Sequence, residues 1–597
     1  MSLLLCLGLG SGCPAPDDPK TDDSAESTVE TGNLDTDSHD DTGDSSPPDD
    51  TGDADGDGWT LDEGDCDDGN ADIHPDADED CATEADDDCD DNTNDRDAEG
   101  CLEYFRDDDD DGYGDEDDPR CFCEAKGKYT LESGGDCEDD NDEVNPDAEE
   151  ICLDGLDNDC DGSAPECRTL EGSYEDDDAS TIFDSEGEYY LTYRSTGGDL
   201  DGDGQDDLVV SNPHDGSDQQ GRAYIVSGIE AGDTLTTSDA FAQVRGQNNQ
   251  YAGWVVAAPG DLTGDGYGDV VINDVDGDVF LLAGPLSGIH RTRKAELTLA
   301  GLEDYEDVAL DGGDLDGDGQ VDLVVGDGSW TDTESMQGRV YLLYGPLSDG
   351  DAQLTDRADA FIEGDESYAG AGEVLVGHGD VDGDGFDDVA LGQSSNSDLG
   401  SAAGAVHVFL GPVAGTQDLS DADATIRGST DGGYLGRTLG GGGDVDGDGT
   451  DDLVASAPRD DSHGESATYL FLGSDLDGSM TDGDAEAWFF GDEQGLGGGL
   501  DLVNLDGDGH ADPVVGNPQS SAGSTYGGTV AIFYGAEDLS GGLDVSEADA
   551  TITGGTNYGY LGLEVRNLGD LDGNGSQDLG LAQDQALRIG IWLGAGI

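Results

Sequence analysis

A nine-residue acidic motif recurs seven times in the second two-thirds of the chain, and it constrains the fold more than any other feature. The copy from Asp380 to Asp388 reads Asp-Val-Asp-Gly-Asp-Gly-Phe-Asp-Asp. Each copy has oxygen-bearing side chains at positions 1, 3, 5 and 9, and a glycine at position 6, where a chain that curls round an ion must turn sharply. Because Ca²⁺ is a hard cation that takes roughly six to eight oxygen ligands in irregular geometry, the motif predicts a calcium-binding loop.

The predicted ligands are the side chains at positions 1, 3, 5 and 9 and the backbone carbonyl at position 7. In chain order they are Asp199, Asp201, Asp203, Gln205, Asp207; Asp261, Thr263, Asp265, Tyr267, Asp269; Asp314, Asp316, Asp318, Gln320, Asp322; Asp380, Asp382, Asp384, Phe386, Asp388; Asp444, Asp446, Asp448, Thr450, Asp452; Asn504, Asp506, Asp508, His510, Asp512; and Asp570, Asp572, Asn574, Ser576, Asp578. Thr263, Asn504 and Asn574 replace acids, so their loops are expected to bind more weakly. Magnesium prefers a tighter octahedron, and zinc prefers His or Cys side chains. A solvated acidic turn, the alternative, does not require the glycine that all seven copies keep.

The charge of the chain limits its partners. The sequence has 145 Asp and Glu against 20 Lys and Arg, a net charge of -125. Such a chain repels nucleic acid and anionic membranes. Seven dications would cancel only a small part of this charge, so an acidic surface suited to a salty medium is a second contributing cause.

The composition changes along the chain in four steps. Residues 1–13 form a short apolar segment that is typical of a secretion or lipoprotein signal, with Cys13 as the residue that would carry the lipid, and this is the only membrane contact predicted. Residues 14–52 have very few apolar side chains and are predicted to be a disordered acidic linker. Residues 53–167 are rich in Asp and Cys, and residues 168–597 contain the seven motifs.

The Asp- and Cys-rich region has ten of the twelve cysteines and little apolar sequence. This predicts a disulfide framework formed in an oxidising compartment, with a pairing that the sequence leaves open. Two of these cysteines form the pair Cys121-x-Cys123, which suits disulfides better than a soft metal in an exported chain.

The same region contains two diverged copies of a pattern that includes Gly64-Asp-Cys-Asp-Asp68 and Gly135-Asp-Cys-Glu-Asp139. It resembles the Asp/Cys-rich metal-binding repeat of secreted bacterial surface proteins and, more loosely, the thrombospondin type 3 calcium repeat. The resemblance implies calcium held by two triads of aspartates, namely Asp53, Asp55, Asp57 and Asp107, Asp109, Asp111.

The segment 168–597 repeats every sixty residues or so, with four short β-rich stretches per repeat and no helical periodicity. This predicts an all-β, seven-bladed β-propeller of four-stranded blades. Outer strands are expected near Val244, Leu297, Phe361, Ile426, Trp488 and Ile552. None follows the last repeat, so the segment Thr169–Gly172 is predicted to pair with the last blade and close the ring.

These repeats resemble the FG-GAP repeats of the integrin α-subunit propeller. The likeness rests on the calcium loops and on aromatic-x-Gly entries such as Tyr251-Ala-Gly253, Tyr368-Ala-Gly370 and Tyr434-Leu-Gly436. It implies calcium as the bound ion and cell adhesion as a function at family level.

Functional residues are expected on the face opposite the calcium loops, where the connections between strands 2 and 3 are long and unlike one another. Trp330 and Tyr526 lie there, and could either bind a ligand or cover the seam between blades. The tyrosines at the repeat entries are predicted to pack between blades, and include Tyr251, Tyr305, Tyr368, Tyr434 and Tyr560. His214 and His463 are predicted to be solvated loop residues.

The sequence favours a secreted or surface-anchored module that binds an extracellular protein or glycan. No His-Glu-x-x-His, Gly-x-Ser-x-Gly or phosphate-binding motif is present, so the chain is predicted not to be an enzyme. Two alternatives stay open, an extracellular hydrolase or lyase acting on a surface polymer, and a calcium-dependent component of a structural surface layer. Ligand identity and oligomeric state have no signature in the sequence.

Overall fold

The computed structural model describes residues 52–594 with gaps. The residues left out are 79, 84, 91–97, 99, 108, 110–111, 115–118, 132–133, 138–140, 142–143, 147–159, 161–169, 171, 185–197, 217, 230, 304, 306, 333–334, 349, 463–465, 492, 537–538 and 584–587. The predicted signal with Cys13 and nearly all of the predicted linker therefore lie outside the described residues, as do Asp111 and His463.

The chain divides into two compact units. One comprises Met1–Glu103 with Arg120–Lys126, and the other Tyr104–Pro119 with Gly127–Ile597. Short strands occur at Leu102–Arg106, Arg120–Phe122 and Tyr129–Leu131, and Phe105 pairs with Leu131. No helix in the part of the chain that the structure describes is long and apolar enough to cross a membrane.

Among the described residues, disulfides join eight cysteines. The pairs are Cys66–Cys89, Cys81–Cys123, Cys101–Cys121 and Cys137–Cys160. The first and last pairs have the same sequence separation of 23 residues, as expected of two copies of one pattern. The predicted disulfide framework is confirmed, and both members of the Cys121-x-Cys123 pair are disulfide halves.

Seven sheets follow in the second unit, counted over the described residues, and we number them in chain order. Their strands, innermost first, are: sheet 1, Leu208–Asn212, Arg222–Val226, Ala242–Arg245, Gly288–Arg291; sheet 2, Val256–Gly260, Asp269–Asn273, Asp278–Leu282, Leu297–Ala300, Gly350–Gln353; sheet 3, Val308–Gly313, Asp322–Asp327, Arg339–Leu343, Ala360–Glu363, Gly415–Asp418; sheet 4, Leu375–Val376, Val389–Gln393, Ala405–Phe409, Ala424–Arg427, Gly478–Thr481; sheet 5, Leu439–Gly443, Asp452–Ala457, Ser466–Phe471, Ala487–Gly491, Gly541–Asp544; sheet 6, Leu500–Val503, Asp512–Asn517, Thr529–Ile532, Ala550–Thr553, Gly172–Glu175; and sheet 7, Val565–Asn567, Leu579–Gln583, Arg588–Trp592, Thr181–Asp184, Thr234–Thr236.

The fold is all-β with almost no helix, as the sequence predicted. The described helical segments are one four-residue α-helix and seven 3₁₀ turns: Leu354–Arg357, and Leu61–Glu63, Asp176–Asp178, Thr292–Lys294, Leu419–Asp421, Gly473–Asp475, Asp482–Asp484 and Val545–Glu547. Neighbouring inner strands pair antiparallel. The six outer strands expected near Val244, Leu297, Phe361, Ile426, Trp488 and Ile552 are present as fourth or equivalent strands.

A further outer strand was not predicted. In six of the sheets it pairs parallel to the fourth strand, as Gly350–Gln353 does with Leu297–Ala300. In sheets 1 to 5 this strand comes from the next repeat along the chain, whereas sheets 6 and 7 receive Gly172–Glu175 and Thr234–Thr236 from the N-terminal part of the second unit. These strands are short and largely exposed, which explains why no hydrophobic pattern marks them in the sequence.

The prediction for the strand that closes the ring named the wrong segment. The strand that pairs with the last strand, Arg588–Trp592, is Thr181–Asp184 and not Thr169–Gly172. Gly172–Glu175 instead pairs parallel with Ala550–Thr553 in sheet 6. Phe183 explains the choice, because it is fully buried in the core between sheets 7 and 1.

The core consists of seven apolar clusters, each between two consecutive sheets. In one cluster, Val256 and Leu282 of sheet 2 pack against Ile225 of sheet 1. Another joins Leu208 in sheet 1 to Ile589 in sheet 7. Second strands such as Val389–Gln393 are buried along their whole length, since both of their faces meet a neighbouring sheet.

Candidate functional site

Six of the acidic motifs lie between the first and second strands of a sheet, and the motif from Asp199 lies just before Leu208–Asn212 of sheet 1. The loops are closed by their own carboxylates. In the copy from Asp380, Oδ1 of that residue accepts hydrogen bonds from the N–H groups of Gly383 at 2.7 Å and Asp384 at 3.0 Å. Its Oδ2 accepts from Gly385 N–H at 2.8 Å. The position-1 carboxylate thus holds the loop amides in a ring, and the glycine at position 6 adopts φ of +91°.

The position-9 aspartate joins the loop to the sheet. Asp388 accepts from Val381 N–H at 2.9 Å and from Gly411 N–H, which follows the third strand, at 2.8 Å. Burial raises the pKa of Asp388 to about 7, the two N–H donors lower it, and the carboxylates of Asp382 and Asp380 raise it. In the other six loops, too, burial raises the pKa of the position-9 aspartate by more than the N–H donors lower it. The pKa is raised to about 6 for Asp269, about 7 for Asp207, Asp322, Asp452 and Asp578, and about 8 for Asp512.

The loop oxygens converge as a cation site requires. In three of the loops, three acidic side chains each offer an oxygen within 4.8 Å of the others: Asp199, Asp201, Asp203; Asp261, Asp265, Asp269; and Asp314, Asp316, Asp322. Asp207 Oδ1 and Thr263 Oγ1 are buried and accept or donate no hydrogen bond. A set of oxygen donors crowded together without a countercharge fits a hard dication, so the residues present suit calcium.

Position 7 has a second contact that sequence reasoning missed. Its N–H donates to the position-5 carboxylate, as Phe386 does to Asp384 at 3.1 Å. Its side chain lies against the position-4 glycine of the preceding loop, so that a Cβ on Gly317 would be 2.5 Å from the Phe386 ring. The other pairs are Tyr267 with Gly202, Gln320 with Gly264, Thr450 with Gly383, His510 with Gly447, and Gln205 with Gly573.

These contacts explain why position 4 is glycine, a position for which the motif alone had suggested no role. Consecutive loops touch one another, and the pair Gln205–Gly573 joins the first loop to the last. His510 also places Nδ1 3.1 Å from the Val445 carbonyl, so its ring is turned toward the neighbouring loop.

In the first unit the triad Asp53, Asp55 and Asp57 is brought together as predicted, with three oxygens within 4.8 Å. Asp55 Oδ2 and Asp57 Oδ2 are buried without a hydrogen-bond partner, and so is Oδ2 of Asp65. Burial, and the carboxylates of Asp57, Asp65 and Asp53, raise the pKa of Asp55.

Sequence reasoning missed Asp65 as a candidate ligand, and also a second triad of Asp86, Asp88 and Asp90. The signal was present, because the repeated patterns Asp65-Cys-Asp and Asp86-Asp-Asp-Cys-Asp90 flank the disulfide Cys66–Cys89. In the other predicted triad, Asp107 is buried and Asp109 half-buried.

The aromatic residues separate into structural and exposed groups. Trp330 is buried, with the Arg339 guanidinium of the same sheet 3.5 Å from its ring centroid. Tyr305 packs edge-on against Trp254 at 5.0 Å. Tyr526 is exposed.

Two of the smaller predictions need correction. Tyr368 is 68% exposed and packs no seam between sheets. His214 is half-buried and contacts the rings of Tyr251 and Trp254 edge-on, so it is not a freely solvated loop residue.

A cavity of about 860 Å³ is lined by the first strands of sheets 2 to 7 and by the turns before them. His378 Nδ1 lies 2.9 Å from Asp311 Oδ2, and this carboxylate raises the pKa of His378 to about 9. Arg437 lies 2.8 Å from Glu373. Several of the charged side chains of the cavity are thus ion-paired with one another.

Comparison with known families places two models on the chain. The model Cu-binding MopE, described as "Putative metal-binding motif", matches residues 65–95 and 136–166. The FG-GAP repeat model matches residues 192–226 and 435–471. The first pair of matches contains the disulfides Cys66–Cys89 and Cys137–Cys160, and the second pair contains parts of sheets 1 and 5.

Curated relatives include integrin α subunits. Integrin alpha-PS2 of Drosophila melanogaster is 28% identical over 36% of this chain, integrin alpha pat-2 of Caenorhabditis elegans is 28% identical over 34%, and integrin alpha-4 of Xenopus laevis is 33% identical over 27%. The matches span only 15 to 18% of these relatives' own lengths. The chain is therefore an integrin-α-like FG-GAP repeat protein in which two motifs of the metal-binding family precede the repeats.

Proposed function

We propose that this chain is a calcium-stabilised, seven-bladed β-propeller that acts outside the cell as a binding module for a protein or glycan ligand. The observation that carries the proposal is the convergence of acidic side-chain oxygens within 4.8 Å of one another in the repeated loops, as in the triads from Asp199, Asp261 and Asp314, together with a buried Asp207 Oδ1 that has no hydrogen-bond partner. Calcium is the proposed ion because every side chain that would hold it offers oxygen.

The contacts between sheets support a closed ring of seven blades. An apolar cluster joins sheet 7 to sheet 1, as other clusters join each earlier pair. The strands Gly172–Glu175 and Thr181–Asp184 tie the start of the propeller to its last two sheets. In this ring the calcium loops brace one face, and the opposite connections are left to bind.

Binding is proposed rather than catalysis because two basic side chains of the cavity, His378 and Arg437, are each ion-paired with a neighbouring carboxylate. The disulfides support an oxidising, extracellular compartment, with residues 14–52 as a linker from the surface and Cys13 as a lipid anchor. Residues 53–167 are proposed to be a separate metal-binding region.

Thermal unfolding of the full chain in calcium, magnesium and EGTA tests the role of the metal. An ion held only by the folded loops stabilises them by about 2.7 kcal/mol per site at a hundredfold excess over Kd. We expect the melting temperature to fall in EGTA and to recover with calcium at lower concentration than with magnesium. An unchanged melting temperature in EGTA would reject calcium as a structural ligand.

A screen of the calcium-loaded chain on arrays of extracellular proteins and glycans tests the binding function. We expect a ligand whose binding is lost in EGTA along with the fold. If no array member binds while hydrolysis of a surface polysaccharide is detected, the hydrolase alternative replaces the binding module.

A further inference from the structure

Three tyrosines form an exposed cluster on the face opposite the calcium loops of sheet 6. We call Tyr526, Tyr558 and Tyr560 the tyrosine platform. Their ring centroids are 5.8, 6.2 and 6.4 Å apart, and the rings of Tyr526 and Tyr560 are nearly parallel at 25°. Tyr526 is 43% exposed and Tyr558 50% exposed.

Backbone hydrogen bonds identify the equivalent positions in other repeats. Tyr558 N–H donates to the Thr525 carbonyl, and Tyr560 N–H donates to the Tyr526 carbonyl. The same two bonds join the corresponding connections in three other repeats, with donors Asn249 and Tyr251, Tyr368 and Gly370, and Gly432 and Tyr434. The acceptor equivalent to Tyr526 is Gln219, Met336 or Ala402.

All twelve of these residues have a left-handed backbone, with φ between +47° and +74°. The left-handed backbone at these three positions is therefore a property of the repeat, and glycine or asparagine adopts it with the least strain. Three repeats place at least one small or polar residue there, such as Gly370, Ala402, Gly432 or Asn249. Sheet 6 alone among the four places tyrosine at all three, although each bears the cost of φ above zero.

The two segments that carry the platform have no charged side chains of their own, and Asp176 accepts a hydrogen bond from Gly555 N–H at 3.0 Å at their edge. Residues 516–528 and 553–563 contain no Asp, Glu, Lys or Arg in a chain of which 28% is charged. The equivalent segments 326–338 and 364–372 contain five acids. Polar groups are supplied by Ser521, Ser524, Thr556 and Asn557, and Glu493 stands at the rim, where it accepts from Ser521 N–H at 3.2 Å.

We propose, on the basis of the binding function above, that the tyrosine platform is the ligand site and that it binds a neutral saccharide. The electron-rich faces of the rings pack against the C–H faces of pyranose rings, and hydroxyl and amide groups hydrogen-bond the sugar hydroxyls. A cationic peptide would be better served by acidic side chains within the two platform segments, which contain none. An anionic ligand is repelled by the net charge of -125.

Isothermal titration of the calcium-loaded full chain with maltohexaose, cellohexaose, mannohexaose, hexagalacturonate and a hexalysine peptide tests the proposal. The variants Tyr526→Ala and Tyr558→Gly give each position a residue that another repeat carries there, Ala402 and Gly432, so the fold should be kept. Tyr368→Gly removes a lone exposed tyrosine at the position equivalent to Tyr558 and is the matched control. Melting temperatures in calcium check that all variants are folded.

We expect at least one neutral hexasaccharide to bind, with an affinity that falls roughly tenfold or more in each platform variant and is unchanged in Tyr368→Gly. Absence of binding to every neutral sugar overturns the proposal, as does binding that ignores both platform variants. Tyrosine-dependent binding of hexalysine overturns the saccharide assignment. The proposed function is tested independently of these outcomes, by the calcium-dependent melting temperature and by the array screen.

Discussion

At the scale of single residues, His407 is a buried histidine whose surroundings favour the neutral imidazole. His407 lies on the third strand of sheet 4, is 4% exposed, and has a buried Nε2 without a hydrogen-bond partner. Its Nδ1 is 3.4 Å from the Thr425 hydroxyl. Burial lowers the pKa of His407 to about 4, Arg427 lowers it further, and Asp398 opposes the shift.

The lowered pKa predicts an acid-sensitive contribution to stability. The unfolded chain takes up this proton near pH 6.5 and the folded chain only near pH 4, so stability is kept above pH 6.5 and lost as the pH falls toward 4. We expect a loss of up to about 3 kcal/mol from this group. His407→Phe, which places there the residue found at the equivalent Phe280, should remove it.

Urea unfolding of wild type and His407→Phe at pH 7, 5.5 and 4.5 in EGTA measures the effect. The loop carboxylates titrate in both proteins, so their contribution cancels in the difference. Parallel pH profiles for the two proteins would contradict a neutral buried histidine.

At the scale of elements, the loops are coupled through side chains that the motif alone did not identify. Phe386 at position 7 covers Gly317 at position 4 of the preceding loop, and Gly317 has φ of +71°. Gly319 at position 6 has φ of +83° and open space around its Cβ position. The two glycines of one loop are thus required for different reasons.

Substituting alanine for each glycine in turn distinguishes the side-chain contact at Gly317 from the left-handed backbone at Gly319. Gly319→Ala should cost about 1–2 kcal/mol for a left-handed alanine, and Gly317→Ala should cost about 1–3 kcal/mol more because its methyl group overlaps the Phe386 ring. Urea unfolding in saturating calcium measures both. In a Phe386→Ala background the additional cost of Gly317→Ala should disappear, and its persistence there would exclude the contact as the cause.

Much of the element order could be predicted from the sequence, because it follows from residues with a strong local signature. The acidic loops, the buried second strands and the fourth strands all have such signatures. The fifth strands do not, since strands such as Gly350–Gln353 are exposed and pair only through the backbone. The entry tyrosines were aligned on their spacing to glycine, yet backbone bonds place Tyr368 with Tyr558 and not with Tyr434.

The closing strand was also misplaced because two short β-rich segments precede the first repeat and only one has a fully buried aromatic residue. Phe183→Ala should lower the free energy of unfolding by about 3–5 kcal/mol, the usual cost of removing a buried phenylalanine. Leu170→Ala, in a partly buried position against sheet 6, should cost distinctly less. Chemical denaturation in calcium compares them, and a larger loss for Leu170→Ala would restore the earlier segment as the latch.

At the scale of the whole molecule, repulsion among acids opposes folding wherever no cation offsets it. The net charge is -125, and the loops bring groups such as Asp199, Asp201 and Asp203 within 4.8 Å. Salt screens such charges over a Debye length of about 10 Å at 0.1 M and about 3 Å at 1 M. Bound dications would remove the closest repulsions, while the remaining surface charge stays.

This predicts that salt stabilises the calcium-free protein more than the calcium-loaded one. Raising sodium chloride from 0.1 to 1 M in EGTA should raise the melting temperature by several degrees, since each kcal/mol regained is worth about 2–4 °C in a domain of 150–250 residues. In saturating calcium the rise should be clearly smaller, because the shortest acid-to-acid distances are already bridged. Chloride is used because sulfate strengthens apolar burial on its own. If salt raised the melting temperature equally with and without calcium, the repulsion between acids would not be concentrated in the loops. The repulsion would then be assigned to the acidic surface as a whole.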